Sequence, residues 1–117
     1  MRILIVTAHP DDVDFGAGGS VATWTREGHE VIYCLVTDGQ AGGFDNSIPR
    51  DEMTIIRRRE QTEAALVLGV TELHFLGFPD GAVVADLNLR REISAVIRTV
   101  KPDRVVTQSP ERRYDRI

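Results

Sequence analysis

The segment Ala8-His9-Pro10-Asp11-Asp12-Val13-Asp14 sets one imidazole and three carboxylates within six residues. Crowded carboxylates repel one another, and something positive normally offsets that repulsion. Histidine plus carboxylate is an N/O donor set suited to Zn²⁺. His9 and Asp12 stand three positions apart across a proline-stiffened turn, so their side chains can converge on one ion. Asp11 then points elsewhere, free to act as a base. Two other readings fit the same residues. Aspartates before a helix can simply cap it, in a solvated His-Pro-Asp turn, or the acidic pocket can handle phosphate. Spacing alone leaves all three open.

Such a segment needs elements to hold it, and the chain alternates short apolar runs with longer helical ones. Ile3 to Thr7 reads as a buried strand, continuous and β-branched. Residues 8–19 read as a loop rich in Asp and Gly, and Ser20 to Glu27 as a helix capped by Ser20 and stopped by Gly28. Val31 to Thr37 is a second strand, apolar on both faces. A polar loop from Asp38 to Pro49 leads to a helix over Asp51–Leu68, with Met53, Ile56, Glu60, Ala64 and Val67 on one side. Glu60 interrupts that apolar face, so either the face lines a site there or the helix is rotated from this phase. Leu73 to Leu76 is a third strand, broken by Gly77-Phe78-Pro79-Asp80-Gly81. Asp86 caps a helix running to about Val100, Pro102 ends it, and Arg104 to Thr107 starts a fourth strand. Strands separated by helices require crossovers, hence a mostly parallel sheet with right-handed connections. The expectation is a Rossmann-like, three-layer α/β domain, one over residues 1–117. Such sheets carry their sites at the C-terminal ends of the strands, which is where residues 8–19 fall.

Composition narrows the function classes. The 117 residues fit one core, and 42% hydrophobic with 27% charged is an ordinary soluble mix. A net charge of -4 disfavours tracking of a nucleic-acid backbone. No apolar run approaches the ~20 residues of a membrane span, and Ile3-Leu4-Ile5-Val6 is too short for a secretory h-region. Cys34 is the single cysteine and sits in an apolar run, which predicts a buried, inert thiol and a cytoplasmic setting. Lys101 is the only lysine beside thirteen arginines, a bias read as genome composition. The glycines at 16, 18 and 19 miss the G-x-G-x-x-G spacing, because position 21 is Val21. They are read as letting a helix backbone pack close to the sheet.

Ala8-His9-Pro10-Asp11-Asp12 directly after the first strand resembles the signature of the LmbE-like/PIG-L family of zinc-dependent de-N-acetylases, which act on N-acetylglucosamine conjugates. Other segments agree in order. They are Thr37-Asp38-Gly39, the helix Arg57-Arg58-Arg59-Glu60 through Ala64-Ala65 to Leu68-Gly69-Val70, the turn Leu76-Gly77-Phe78-Pro79-Asp80-Gly81, and the tail from Pro102-Asp103 to Pro110. The resemblance implies His9 and Asp12 as ligands of Zn²⁺ or another divalent metal, Asp11 as general base, and Arg57 and Asp80 as contacts to a small-molecule N-acetylglucosamine conjugate. Taken on its own, Arg57 reads as a solvated helix charge pairing with Glu60 at i+3.

The sequence departs from the family pattern in three places. Val13 stands where Glu is common, with Asp14 next, and Gln40 replaces a common acidic residue. The family's third metal ligand, the last histidine of a His-Pro-Asp-His motif, lies beyond Arg113-Tyr114-Asp115-Arg116-Ile117. His29 and His74 fall at the wrong end of the sheet to replace it, His29 as a surface residue and His74 as a packing residue. Catalytic zinc normally takes three protein ligands and a water. The expectation is therefore a truncated domain, weak metal affinity, impaired activity, and self-association through an open fourth strand. Two rivals remain: a non-catalytic sugar-binding fragment, and a receiver-type domain with Asp80 as phosphoacceptor. The latter is disfavoured because Lys101 precedes a strand rather than following one.

Overall fold

The computed structural model describes residues 1–9, 12–37, 49–79 and 83–108, with the backbone alone for residues 12–17 and 50. Its elements run β1 (Arg2–Thr7), α1 (Asp12–Arg26), β2 (Glu30–Thr37), α2 (Arg50–Val67), β3 (Glu72–Phe78), α3 (Leu87–Val100) and β4 (Arg104–Thr107). The sheet order is β3-β2-β1-β4, and every pairing is parallel. This is the expected α/β architecture, and its layers follow from the topology. From β1 to β3 the chain steps one way across the sheet, so right-handed crossovers put α1 and α2 on one face. The step from β3 to β4 reverses direction and puts α3 on the other.

Alternation along the strands feeds both layers. Ile3, Ile5, Val31, Tyr33 and Leu35 meet Val21 of α1 and Ala65 of α2. Leu4, Val6, Ile32, Cys34 and Val36 meet Val96 and Val100 of α3. Each large aliphatic side chain taken out of water in this way contributes about 1.5–3 kcal/mol. β2 is buried from Val31 to Thr37, as a central strand covered on both faces must be.

The helices begin and end for local reasons. Asp86 caps α3 by accepting from the Leu89 N–H at 2.9 Å, as expected. Lys101 ends it in the left-handed region (φ 52°), with Pro102 next. α1 and α2 each close in the same way. His29 N–H reaches Trp24 O and Gly28 N–H reaches Thr25 O. Val70 N–H reaches Ala65 O and Gly69 N–H reaches Leu66 O. Both glycines have φ +88°.

Four expectations are corrected. Residues 12–19 are helix rather than loop, so α1 starts at Asp12 and Ser20 is no cap. Glycine lowers helix propensity, but packing of Val21 and Trp24 against the sheet outweighs it. The glycines do not serve close packing, at least at two positions: a Cβ on Gly18 or Gly19 would meet nothing within 4 Å among the described residues. α2 is rotated from the expected phase. Gln61, Ala65 and Leu68 face inward, whereas Glu60 is exposed and Val67 is 86% exposed. The expected phase rested on Ile56 and Val67, apolar residues that the structure leaves exposed. Lastly, β3 continues through Gly77 (φ 73°) to Phe78, with a register irregularity opposite Leu35 and Thr37. A strand glycine marks such an irregularity rather than a stop.

Candidate active site

The reversal of direction between β1 and β4 makes a topological switch point. Open α/β sheets bind ligands there, beyond the strand C-termini. His9 stands at that place, two residues after β1 ends at Thr7 and three before α1 begins at Asp12. The strand end is clamped from both neighbours. Ala8 O accepts from the Thr37 N–H at 2.9 Å and from Thr37 Oγ1 at 2.8 Å. On the β4 side, Ala8 N–H donates to Gln108 Oε1 at 3.3 Å, and Thr107 Oγ1 donates to Val6 O at 2.8 Å. Thr7 Oγ1 donates to His9 O at 3.3 Å. These bonds hold the backbone that carries the half-buried His9.

Asp12 opens α1, where a carboxylate is favoured by the positive end of the helix dipole. His9 thus follows the end of β1 and Asp12 opens α1, both at the C-terminal edge of the sheet. Asp11, Asp80, the Asp38-Gly39-Gln40 segment and the tail from residue 109 lie outside the described residues, as does the Asp12 side chain. The donor types fit the implied metal: an imidazole nitrogen from the residue two past β1 and a carboxylate oxygen from the first residue of α1. Among the described residues, no three His, Cys, Asp or Glu side chains gather to hold an ion.

The other histidines sit elsewhere. His29 lies between α1 and β2, at the N-terminal end of the sheet, 3.7 Å from Glu27 Oε2. Its side chain is 31% exposed, less open than a surface residue was expected to be. His74 is the third residue of β3, half-buried and 3.3 Å from Glu72 Oε2. Arg57 lies on α2, two turns in from its N-terminus. Its Nη1 is 3.8 Å from Glu60 Oε2, the i+3 pair expected from sequence. Its Nε is buried without a hydrogen-bond partner among the described residues. Sequence reasoning missed Gln61. It is 4% exposed, its Nε2 is also unpartnered, and its signal was hidden by the misjudged helix phase. Cys34 is fully buried, and burial pushes its thiol up to about 11, which makes it inert as expected.

The sequence profile of the PIG-L family, described as GlcNAc-PI de-N-acetylase, matches residues 4–116. The chain belongs to the PIG-L family. Among relatives, the diacetylchitobiose deacetylase of Thermococcus kodakarensis is 34% identical over 97% of this chain and 43% of its own length. The probable N-acetyl-alpha-D-glucosaminyl L-malate deacetylase 2 of Bacillus cereus is 34% identical over 94% of this chain and 52% of its own. The N,N'-diacetylchitobiose deacetylase of Pyrococcus horikoshii, solved with an inhibitor, superposes with a TM-score of 0.92 at 33% identity. It is covered by 97% of this chain and over 43% of its own. The 4-carboxy-2-hydroxymuconate hydratase GalB of Pseudomonas putida gives 0.86 at 25% identity, over 97% of this chain and 49% of its own. The chain thus spans about half the length of the PIG-L relatives it matches. No helix among the described residues is long and apolar enough to cross a membrane.

Proposed function

We propose that these residues form the N-terminal, metal-holding part of a de-N-acetylase that removes the acetyl group from an N-acetylglucosamine conjugate. The observation that carries the reading is the placement of His9, just past the clamped end of β1, and of Asp12, at the start of α1, at the switch point of the sheet. The kinship with deacetylases of chitobiose and of N-acetylglucosaminyl malate supports it.

His9 and Asp12 would hold a divalent metal, Zn²⁺ foremost, which when bound supplies Lewis acidity to an amide carbonyl and acidifies water. Asp11 stands between these two ligands in sequence. Its carboxylate takes a proton from the attacking water and can return it to the leaving nitrogen, so that acetamide and water become acetate and a free amine. Arg57 and Asp80 would hold the rest of the conjugate, Arg57 by hydrogen bonds to a hydroxyl or phosphate oxygen. Clamping of the β1 end limits the reorganisation needed as charge develops on the carbonyl oxygen.

The reading places the protein in the cytoplasm, in keeping with a lone, buried cysteine. It extends to self-association, since β4 is an edge among the described strands and Val105 on it is exposed. Sedimentation at high concentration tests that point, and a purely monomeric profile rejects it.

Acetate release from N,N'-diacetylchitobiose and from N-acetylglucosaminyl malate, by the full-length metal-loaded protein, tests the function. Activity that is lost in Asp11→Asn is the expected result. No release from any N-acetylglucosamine conjugate, with hydration of an unsaturated acid instead, would transfer the assignment to the hydratase branch. Carbohydrate binding without turnover would favour a sugar-binding module.

A further inference from the structure

Two buried donors on the inner face of α2 lack partners among the described residues: Arg57 Nε and, one turn on, Gln61 Nε2. Residues at i and i+4 lie one above the other on a helix, with Cβ atoms about 5–6 Å apart. A buried donor left unpaired costs about 1–3 kcal/mol, so two of them on one helix face need a physical account. Gln61 is 4% exposed, too deep to be a solvated surface amide. The neighbouring cation Arg58 is engaged differently, 5.1 Å over the Phe75 ring.

An amide can resolve the conflict by itself. Its oxygen and nitrogen are close in size, and a half-turn about its last torsion exchanges acceptor for donors. We propose that Gln61 is a positioning residue for Arg57: its amide, turned over, accepts the Arg57 Nε–H and fixes the guanidinium plane with the Nη edge toward the crevice.

The turn carries the amide nitrogen to the place now held by Oε1, which is not among the buried unpartnered atoms. Arg57 Nη1 then needs to give up only a 3.8 Å approach to Glu60, a carboxylate that is 61% exposed and readily hydrated. What remains is a planar two-donor fork, the geometry that binds a carboxylate or phosphate oxygen pair bidentately. That the fork meets substrate rests on the proposed deacetylase reading. That Gln61 orients it does not.

The test uses the full-length protein and three variants. The Arg57 Nε–Hε resonance is identified by its loss in Arg57→Lys. Its solvent exchange is expected to speed up at least tenfold in Gln61→Leu, which keeps the side-chain bulk but has no acceptor. It should stay slow in Gln61→Glu, which keeps the acceptor. In turnover, Gln61→Leu should raise KM about tenfold, with the loss in KM rather than kcat, and Gln61→Glu should restore it, as expected for one hydrogen bond to a charged group. A purely structural Gln61 predicts that Leu serves as well as Glu, and that result overturns the proposal. If Gln61→Leu does not fold, Gln61→Met makes the same comparison. A slowed, Gln61-dependent Nε–H in a protein without deacetylase activity sinks the functional reading and leaves the positioning role standing.

Discussion

The substitution Gly69→Ala probes the joint that sets α2 against α1, and hence the place of Arg57. Gly69 has φ +88°, where an L side chain costs about 1–2 kcal/mol. Its new Cβ would also lie 2.9 Å from both Cβ and Oγ1 of Thr25. Carbon atoms in good contact stand about 3.5–4.0 Å apart, so Thr25 has to move. Thr25 Oγ1 donates to Leu68 O at 2.6 Å, and losing that bond costs about 1 kcal/mol more. The total is about 3 kcal/mol, a large share of the ~5–15 kcal/mol that holds a domain folded. Gly28→Ala is the internal control, because Gly28 has the same φ of +88° and nothing within 4 Å of its added Cβ. It should cost about 1 kcal/mol, from the backbone alone. Equilibrium urea unfolding with unchanged slope measures both. Repeating Gly69→Ala in a Thr25→Gly background, which removes the Cβ as well as Oγ1, should bring its cost down toward the Gly28 value, as coupled neighbours require. Equal losses at Gly69 and Gly28 would refute the packing argument.

Burial raises the Cys34 thiol from its ordinary 9.0 to about 11. The unfolded chain therefore sheds this proton first as pH rises. Stability is intact below about pH 9 and falls by about 2–3 kcal/mol toward pH 11; in Cys34→Ala, pH-dependent unfolding should lack that slope. Gly19→Ala, in mid-helix with open space around its Cβ, should stabilise α1 by about 0.5–1 kcal/mol, read as a raised melting temperature. Calorimetric zinc titration of the 117 residues should show a weak site that His9→Ala abolishes, because neither His29 nor His74 shares its end of the sheet. A tight stoichiometric site that survives His9→Ala would remove His9 from the ligand set.

The strands and the third helix were legible because their signals are local. β1, β2 and β4 are apolar runs rich in β-branched residues, and Asp86 and Pro102 mark the ends of α3 without reference to the rest of the chain. The candidate site was visible as a motif: spacing grouped His9 and Asp12 but left three readings open, and only the family resemblance implied their roles. The start of α1 was not legible. Asp12–Ser20 carries four residues of poor helix propensity in its glycines and serine, and it becomes helical through what Val21 and Trp24 pack against. The face of α2 was obscured because Ile55, Ile56, Leu66 and Val67 are apolar and exposed, while Gln61 is polar and buried.

By itself, then, the sequence determined the alternation of strands and helices, the parallel sheet that such crossovers impose, and a histidine with aspartates at the end of the first strand. These follow from periodicity, chain chirality and the chemistry of side chains close together in the chain. Only the tertiary structure decided that β4 returns beside β1, which makes a switch point where His9 stands. It also decided that Thr37 and Gln108 grip the strand end from two distant segments, and that Gln61 turns inward beneath Arg57. Those outcomes depend on contacts between residues far apart in the chain, and no local pattern carries that information.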